Sequence, residues 1–553
     1  MLHHLSLRNK LIVMFSVMSA LFLVALDQTI IATALGAIVK EYNSFSSLGF
    51  IVTAYMLTTT VTVPLAGKLS DMYGRKPLLL SGVVIFTVGS LLSGMSPSIE
   101  WLIAWRALQG IGGGIITANA FTIIGDLFPV NERGRWQGLF GAVFGMSSVI
   151  GPLLGGWLTD GASIFGLTTD WRWTFFINVP IGVIATAALM RYCPQIKHET
   201  THKPDYLGAL LITIALAALV LAVDNTETIF KSLIDGGVAL SLIKAVLFTI
   251  SALAAVLFVW AEKRAKHPTL PLRFFRNKTY SLILIVGLLF GAAFLGAILY
   301  LTQFNQQVFG ATASQAGLML LPMVAGMTIS SLSTGQIVSR IGSYRRFISV
   351  GCAIVALGVL SLTTLQPSSP YLQEAVIMTI VGLGMGMCMP ILSLAVQNEF
   401  TQKDLGAATS SVQLFRGLGS TVGTAIFASV LTAGILTSLG DVEKMPYIQT
   451  LRQSPQAAQM LEGDLNSDKL LQINSQRETI LKGAKQGMTK LPAPAREKAA
   501  SQLKAQQDDY NTKILQAFSD SLHHIFIISA SLMATGFVVT LFLPHRKLGH
   551  KKA

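Results

Sequence analysis

Fourteen long apolar stretches constrain the fold of this 553-residue chain more than any other feature of its sequence. A helix needs about 20 apolar residues to cross the hydrocarbon core of a bilayer, and each stretch is close to that length. Lipid offers no partner to free backbone groups, and stretches this continuous exclude a β-barrel, so each is predicted to be a helix. The predicted spans are residues 11–35, 48–69, 77–96, 101–124, 136–159, 172–191, 206–223, 239–261, 280–304, 314–337, 346–365, 373–396, 406–436 and 520–543.

The distribution of charge indicates how these helices are oriented. Only 12% of the residues are charged, and the formal net charge is +14, whereas soluble domains carry roughly 25% charged residues. Lysine and arginine concentrate in alternate short loops and in the C-terminal tail, which is the bias expected of cytoplasmic segments. We therefore expect a multi-pass membrane protein with both termini in the cytoplasm and with no nucleic-acid partner. The cationic loops include Arg75/Lys76, Arg133/Arg135, Lys263/Arg264 and Arg345/Arg346.

The sequence contains no motif of a nucleotide-driven or metal-dependent protein. It lacks a phosphate-binding P-loop, a GxSxG motif and an HExxH zinc motif. The cysteines Cys193, Cys352 and Cys388 lack metal-type spacing and are interpreted as packing residues. We therefore expect no enzyme activity, no metal site and no cofactor. Any transport would draw its energy from a proton gradient.

An internal repeat predicts two related helical bundles. The segment Gly335–Gly342 echoes Gly67–Gly74, and Gly417–Gly423 echoes Gly145–Gly151. Repeats of this kind are typical of transporters. Spans 1–6 and 9–14 are predicted to form two pseudo-symmetric six-helix bundles, with spans 7 and 8 inserted between them. The predicted units are residues 1–195 (first bundle), 196–270 (linker with two inserted helices), 271–436 (helices 9–13), 437–518 (extracytoplasmic helical loop) and 519–553 (helix 14 and a basic cytoplasmic tail).

The segment 437–518 differs in composition from the rest of the chain. It is polar, and it is interrupted by Pro446, Pro455, Pro492 and Pro494. Its last part has good helix formers with an apolar stripe, so we expect a helix that continues into span 14. Two interpretations remain open, a solvated spacer and a lid or docking element for a periplasmic adaptor.

Two charged residues lie deep inside predicted spans. Asp27 is in the outer half of span 1 and is the only acid that we place deep in the membrane, and Arg106 is in span 4. A carboxylate in hydrocarbon is costly, so its presence favours a function. The helical rise places the two residues about 5 Å apart in depth, within reach of an arginine side chain. The pair is interpreted either as a proton switch or as a static ion pair between two helices.

A short charged turn joins spans 2 and 3, and it resembles the loop 2–3 signature of the major facilitator superfamily. Its matching residues are Gly67, Asp71, Gly74, Arg75 and Lys76. We interpret the turn as a cytoplasmic gate in which Asp71 contacts the other bundle. The expected partners are a helix N-terminus or the cations at the pseudo-symmetric position, Arg340, Arg345 and Arg346.

Further motifs resemble one branch of that superfamily, the fourteen-span drug:proton antiporters of the multidrug and quaternary-ammonium exporter type. Span 5 resembles the antiporter motif through Gly145, Gly151, Pro152, Gly155 and Gly156. The strings 26–35, 106–114 and 171–182 resemble the branch's motifs in spans 1, 4 and 6. The first string departs from its signature, since Gly36 and Ala32 stand where proline and asparagine are usual.

The resemblance implies a proton-coupled antiporter of the bacterial inner membrane that exports lipophilic compounds by alternating access. Its partners would be lipophilic substrates, protons and membrane lipids. Two alternatives stay open: a dedicated exporter of one endogenous lipid, siderophore or antibiotic, and an envelope-assembly component working through residues 437–518. Because Leu295 matches Asp27 in the repeat and spans 10 and 13 contain no acid, neutral or monocationic substrates are expected over dications. The candidate cavity residues are Gln28, Tyr55, Gln109, Met146, Asn178, Phe294 and Arg416.

Overall fold

The computed structural model describes residues 6–42, 48–164, 166–194, 205–223, 226–440, 442–452, 465, 467–475, 477, 480–483 and 492–549. Parts of the predicted 437–518 segment and the extreme ends of the chain lie outside these residues. The described chain is helical apart from one small hairpin, formed by β1 (Ser163–Ile164) and β2 (Leu167–Thr168).

The N-terminal half forms one bundle of long helices. Gly74 separates the second helix from the third with a φ of 98°, a conformation that glycine adopts without strain. Pro64 and Pro152 lie inside the second and fifth helices. The helices are α1 (Leu7–Tyr42), α2 (Leu48–Tyr73), α3 (Arg75–Gly94), α4 (Ile99–Leu127), α5 (Val130–Thr159), α6 (Trp173–Phe176) and α7 (Asn178–Tyr192).

The rest of the chain forms the inserted helices, the second bundle and a set of helices beyond it. The inserted part contains α8 (Tyr206–Val223), α9 (Thr226–Ile229), α10 (Lys231–Asp235) and α11 (Leu240–Arg264). The second bundle and the helices after it are α12 (Lys278–Val308), α13 (Ala313–Met319), α14 (Leu321–Ile341), α15 (Arg345–Ser361), α16 (Tyr371–Gln397), α17 (Leu405–Leu439), α18 (Pro446–Arg452), α19 (Ser467–Ser475) and α20 (Ala493–Leu541).

Thirteen helical segments among the described residues are long and apolar enough to cross a membrane, judged by length and composition. They match thirteen of the fourteen predicted spans. The predicted span 314–337 is instead divided at Leu320 between α13 and α14. The polar residues Ser330, Ser331 and Thr334 lower the hydropathy of α14, and they are buried where it packs against α5 and α16. The prediction of an all-α polytopic membrane protein is confirmed.

The two bundles meet chiefly where α5 packs against α14 and α2 packs against α17, and α4 also contacts α17. Small residues allow the first pair to approach closely. A Cβ atom added at Gly134 would lie 2.8 Å from the carbonyl oxygen of Gly335, and one at Gly138 would lie 2.6 Å from that of Ser331. We call the end of the bundles that carries Arg75 and Arg345 the basic end, and the opposite end the far end.

Trp171 and Arg172 fasten α1 at the far end. The indole Nε1 of Trp171 donates to Oε2 of Glu41 over 2.6 Å, and Nη2 of Arg172 donates to Oε1 over 2.6 Å. The adjacent Arg172 guanidinium holds the pKa of the Glu41 carboxyl below its usual range. The Trp-Arg-Trp motif therefore has a structural role in this chain.

The described part of segment 437–518 is a packed layer at the far end. Gln507 donates to the Tyr447 hydroxyl over 2.8 Å, and the buried Tyr510 donates to the Leu470 carbonyl over 2.8 Å. Helix α20 is continuous for 49 residues. The predicted boundary between segment 437–518 and the last membrane span, at residues 518 and 519, therefore lies inside this helix. These contacts argue against a solvated spacer for the residues involved.

Candidate functional site

Asp27 and Arg106 form an ion pair in the interior of the first bundle. Nη1 of Arg106, on α4, lies 2.6 Å from Oδ2 of Asp27, on α1, and each side chain is only 1% exposed. Gln109 donates through Nε2 to Oδ1 of Asp27 over 2.8 Å. The same Arg106 nitrogen donates to Oε1 of Gln109 over 2.8 Å. The depths estimated from the helical rise thus agree with this contact between Asp27 and Arg106, which are 79 positions apart in the sequence.

Two more of the predicted cavity residues belong to this network. Asn178 donates to Oδ1 of Asp27 over 3.5 Å and to the Ser90 hydroxyl over 3.0 Å. The Arg106 guanidinium carbon lies 4.3 Å from the centre of the Tyr55 ring. Residues from α1, α2, α3, α4 and α7 therefore surround one carboxylate, and we call Asp27, Arg106, Gln109 and Asn178 the Asp27 network.

The Asp27 network is balanced in charge. Removing one partner of a buried ion pair costs about 3–5 kcal/mol, because the other charge is left uncompensated. A proton that neutralises Asp27 would leave Arg106 without its counter-charge. The ion pair therefore links α1 to α4.

At the basic end, Asp71 connects the two bundles. Its Oδ1 accepts a hydrogen bond from the Gly406 backbone N–H over 2.9 Å, and its Oδ2 accepts one from Ala407 over 2.8 Å. Both amides belong to the first turn of α17, where the helix dipole favours an anion. Arg75 contacts Asp71 at 2.5 Å and Asp126 at 2.8 Å. Asp126, on α4, is a member of this cluster that the sequence analysis missed.

The partner of Asp71 is therefore a helix N-terminus and not the pseudo-symmetric cations. Arg345 donates to the Leu541 carbonyl over 2.5 Å instead. Lys76 donates to the Met190 carbonyl over 2.8 Å, within the first bundle. Gly67 allows the contact, because a Cβ atom there would lie 2.1 Å from the Ser410 hydroxyl oxygen of α17.

The small residues of α5 contact both bundles. A Cβ atom at Gly151 or Gly155 would lie 2.0 Å or 2.1 Å from the hydroxyl oxygens of Thr29 and Thr33 on α1. On the other side, Pro152 contacts Gly317 of α13. Gly145 faces Val324 of α14, and Gly156 is buried. The small residues of this motif therefore allow α5 to pack closely against both α1, which carries Asp27, and the second bundle.

A cavity of about 190 Å³ lies between the two bundles. Its walls come from α1, α2, α4 and α5 on one side and from α12, α16 and α17 on the other. Of the predicted cavity residues, Gln28, Phe294 and Arg416 line it, whereas Tyr55, Gln109 and Asn178 lie in or beside the Asp27 network. We call this space the central cavity.

Met146 does not line the central cavity, contrary to our expectation. It is 47% exposed and borders a separate, apolar cavity of about 370 Å³ beside α1 and α5. The reason is the helical phase of α5: Phe144, Ser147 and Ser148 occupy the face toward the second bundle.

One buried acid of the second bundle lies in the first turn of its helix and was not among the predicted site residues. Glu374, near the start of α16, is 0% exposed, and among the described residues neither of its carboxylate oxygens has a hydrogen-bond partner. The amide of Asn305, on α12, lies beside it and is also fully buried. Acids in the first turn of a helix are common for electrostatic reasons, so its position in the sequence did not indicate burial. Within the described residues no group of three or more His, Cys, Asp or Glu could hold a metal.

Comparisons with known proteins agree with this architecture. The model of the Major Facilitator Superfamily matches residues 17–424. The multidrug transporter protein MdtP of Bacillus subtilis is 36% identical over 538 residues, which cover 97% of this chain and 93% of that protein. Multidrug resistance protein 3 of the same species is 30% identical, and the aligned region covers 96% of this chain and 94% of that protein.

Solved structures show the same fold at low sequence identity. The proton:xylose symporter XylE superposes with a TM-score of 0.58 at 13% identity, covering 98% of each chain. The human organic anion transporter MFSD10 superposes with a TM-score of 0.55 at 15% identity, covering 76% of this chain and 93% of that one. The fold, the family match and the multidrug relatives together indicate a transporter and not an enzyme. The chain belongs to the major facilitator superfamily, and within it to the multidrug-type transporters.

Proposed function

We propose that this protein exports lipophilic compounds across a bacterial inner membrane in exchange for protons, by alternating access. The observation that supports the proposal most is the separation of two sites that share helices of the first bundle. The Asp27 network is closed off from solvent, whereas the adjacent central cavity lies between the two bundles. A proton and a substrate would thus occupy different sites and act on the same helices.

In this proposal the contact of Asp71 with α17 closes the basic end, which the charge distribution predicts to be cytoplasmic, while the substrate leaves from the far end. Protonation of Asp27 removes the counter-charge of Arg106 and allows α1 and α4 to shift. Release of that proton to the cytoplasm restores the ion pair and completes the cycle. The proton gradient is the only energy source required, and neither a cofactor nor a metal takes part.

The substrate class follows from the lining of the central cavity. The cavity is mostly apolar with scattered hydroxyl and amide groups, and none of the described residues that line it is an acid. Neutral or singly charged lipophilic compounds therefore fit better than dications, as the sequence analysis expects. A periplasmic adaptor that binds the far-end layer stays a prediction of the sequence analysis.

The test is substrate-induced proton movement in proteoliposomes made with the purified protein. A trapped pH-sensitive dye would report whether lipophilic compounds dissipate an imposed pH gradient. We expect dissipation by the wild type and by Asp160→Asn, which removes an exposed acid, and none by Asp27→Asn. Binding of the same compounds to Asp27→Asn should persist, because Asp27 does not line the central cavity. Proton movement by Asp27→Asn at the wild-type rate would refute the assignment.

A panel of structurally unrelated compounds separates the proposal from a dedicated exporter. A multidrug exporter should respond to several of them, whereas a dedicated exporter should leave the gradient intact with all but one chemical class.

A further inference from the structure

Among the described residues that line the central cavity, a single side chain is charged. Of the 21 residues that line it, only Arg416, on α17, carries a charge. Its guanidinium carbon lies 5.6 Å from the centre of the Phe144 ring and 5.8 Å from that of Phe121. Among the described residues Arg416 forms neither an ion pair nor a side-chain hydrogen bond. A cation placed between aromatic rings in a membrane interior, with no counter-charge, is costly unless a ligand compensates it.

The carboxylate of Asp27 is not available to Arg416. Asp27 precedes Gln28, which lines the central cavity, but its own side chain is buried and already pairs with Arg106. The Asp27 network is neutral as a unit. The uncompensated charge beside the central cavity is therefore one positive charge.

Most of the hydroxyl groups that line the cavity are poor donors to a ligand. Six of its hydroxyl groups donate their hydrogen to a backbone carbonyl over 2.8–3.1 Å, which leaves their oxygens as acceptors. Those six residues are Thr29, Thr59, Ser147, Ser148, Ser420 and Thr421. The guanidinium of Arg416 therefore offers the strongest donors in the cavity.

We propose that the central cavity binds lipophilic monoanions, such as carboxylates and sulfonates with an apolar body, in preference to lipophilic cations. The anionic group would face Arg416, and the apolar body would contact Phe144, Phe294, Ile298 and Met389. This inference rests on the proposed export function and names the substrate charge for the same site. It revises the expectation that monocations are favoured, because a cation would enter the cavity against the charge of Arg416.

The coupling of such a substrate to protons is indirect. Protonation of Asp27 places no negatively charged group in the central cavity. The proton and an anionic substrate therefore do not compete for Arg416. Exchange would therefore depend on the movement of α1 and α4 and not on direct competition. This distinguishes an anion exporter from one in which a proton and a cationic drug displace each other at one carboxylate.

The test uses two ions of the same shape and opposite charge, tetraphenylborate and tetraphenylphosphonium. Their binding to the purified full-length protein in a neutral detergent would be measured by equilibrium dialysis, with protein-free micelles as the blank. We expect the wild type to bind tetraphenylborate about tenfold more tightly than tetraphenylphosphonium, since the anion meets a desolvated guanidinium. Arg416→Gln should abolish this preference, and Arg416→Lys should retain most of it.

The control is Arg8→Gln, which removes the same net charge from an exposed position at the start of α1 and should leave the preference unchanged. Tighter binding of tetraphenylphosphonium by the wild type, or an equal preference in Arg416→Gln and the wild type, would overturn the inference. If the wild type moved protons in exchange for lipophilic cations but bound no anion, export would stand and the anion preference would fall. If neither ion bound and no compound moved protons, both proposals would fall.

Discussion

The two bundles differ in how they treat buried charge. In the first bundle two buried arginines are paired with acids: Arg106 with Asp27, and Arg75 with both Asp71 and Asp126. The third, Arg133, donates to the backbone carbonyls of Gly125 and Phe128. In the second bundle, Arg416 and Glu374 have no charged partner among the described residues. A paired charge can act as a switch, because neutralising one member changes the state of the other. An unpaired cation beside a cavity is available to a ligand. In the function proposed above, the proton therefore acts on the first bundle, and Arg416 of the second bundle contributes to substrate recognition.

The largest effect on this comparison is expected from Arg106. Arg106→Ala leaves Asp27 buried with only amide donors, so pH-gradient-driven transport in proteoliposomes should be lost. Arg106→Lys keeps the charge, but the lysine ammonium lacks the planar guanidinium that lies 4.3 Å from the centre of the Tyr55 ring while its Nη1 donates to Asp27 and Gln109. We expect less than a tenth of the wild-type transport rate from it.

Arg8→Ala is the matched control for Arg106, and elution as a single species on gel filtration would show that the variants are folded. Wild-type transport by Arg106→Ala would mean that Asp27 switches through another partner, and the pairing would then have only a structural role.

A smaller effect is expected at the contact between the bundles. Asp71→Asn removes the charged carboxylate that accepts hydrogen bonds from both Gly406 and Ala407. A partly buried contact of this kind stabilises the closed basic end by up to ~2 kcal/mol. That shifts a balanced equilibrium by about tenfold or more. Turnover should slow, and the population should shift toward an open basic end, while substrate binding persists.

Spin-label distances between Tyr73 and Lys403, two exposed positions near the contact, would measure this shift in a background that lacks the three native cysteines. Glu132→Gln, an exposed substitution at the same end, is the control. Distances that stay the same in Asp71→Asn would reduce the role of Asp71 to that of a turn former.

The smallest effect on transport is expected from Glu374. Glu374→Gln should change pH-gradient-driven transport less than twofold, because the acid has no charged partner to release. An unpartnered buried polar group costs about 1–3 kcal/mol, so Glu374→Leu should raise the midpoint of thermal unfolding. A loss of proton coupling in Glu374→Gln would contradict the division of roles between the bundles and would make Glu374 a second coupling acid.

Thirteen of the fourteen spans and the Asp27–Arg106 pair could be predicted because they depend on one-dimensional quantities. Span length, the alternation of basic loops and the helical rise fix the depth of Asp27 and Arg106 without tertiary information. The tenth predicted span, residues 314–337, is divided between two helices. Its Ser and Thr residues lower its hydropathy and are buried by packing between helices.

The contacts that could not be predicted depend on which helices meet in space. The partner of Asp71 is the first turn of α17, which is more than 330 residues away. In the sequence, Glu374 resembles any other acid in the first turn of a helix. Only the packing of α12 against α16 shows that it is buried. The face of α5 that holds Met146 is likewise fixed by packing, since an apolar residue in a spanning helix can point toward lipid or toward a cavity.

The most direct measurement for the central claim is the protonation of Asp27 itself. Infrared difference spectra between neutral and acidic pH would record the carboxylic acid band of buried groups in the purified protein. We predict a band in the wild type, in Glu374→Gln and in Asp71→Asn that is absent in Asp27→Asn, and that changes in intensity when a substrate binds. The same band in Asp27→Asn, or no response to substrate in the wild type, would contradict the account that Asp27 couples proton entry to export.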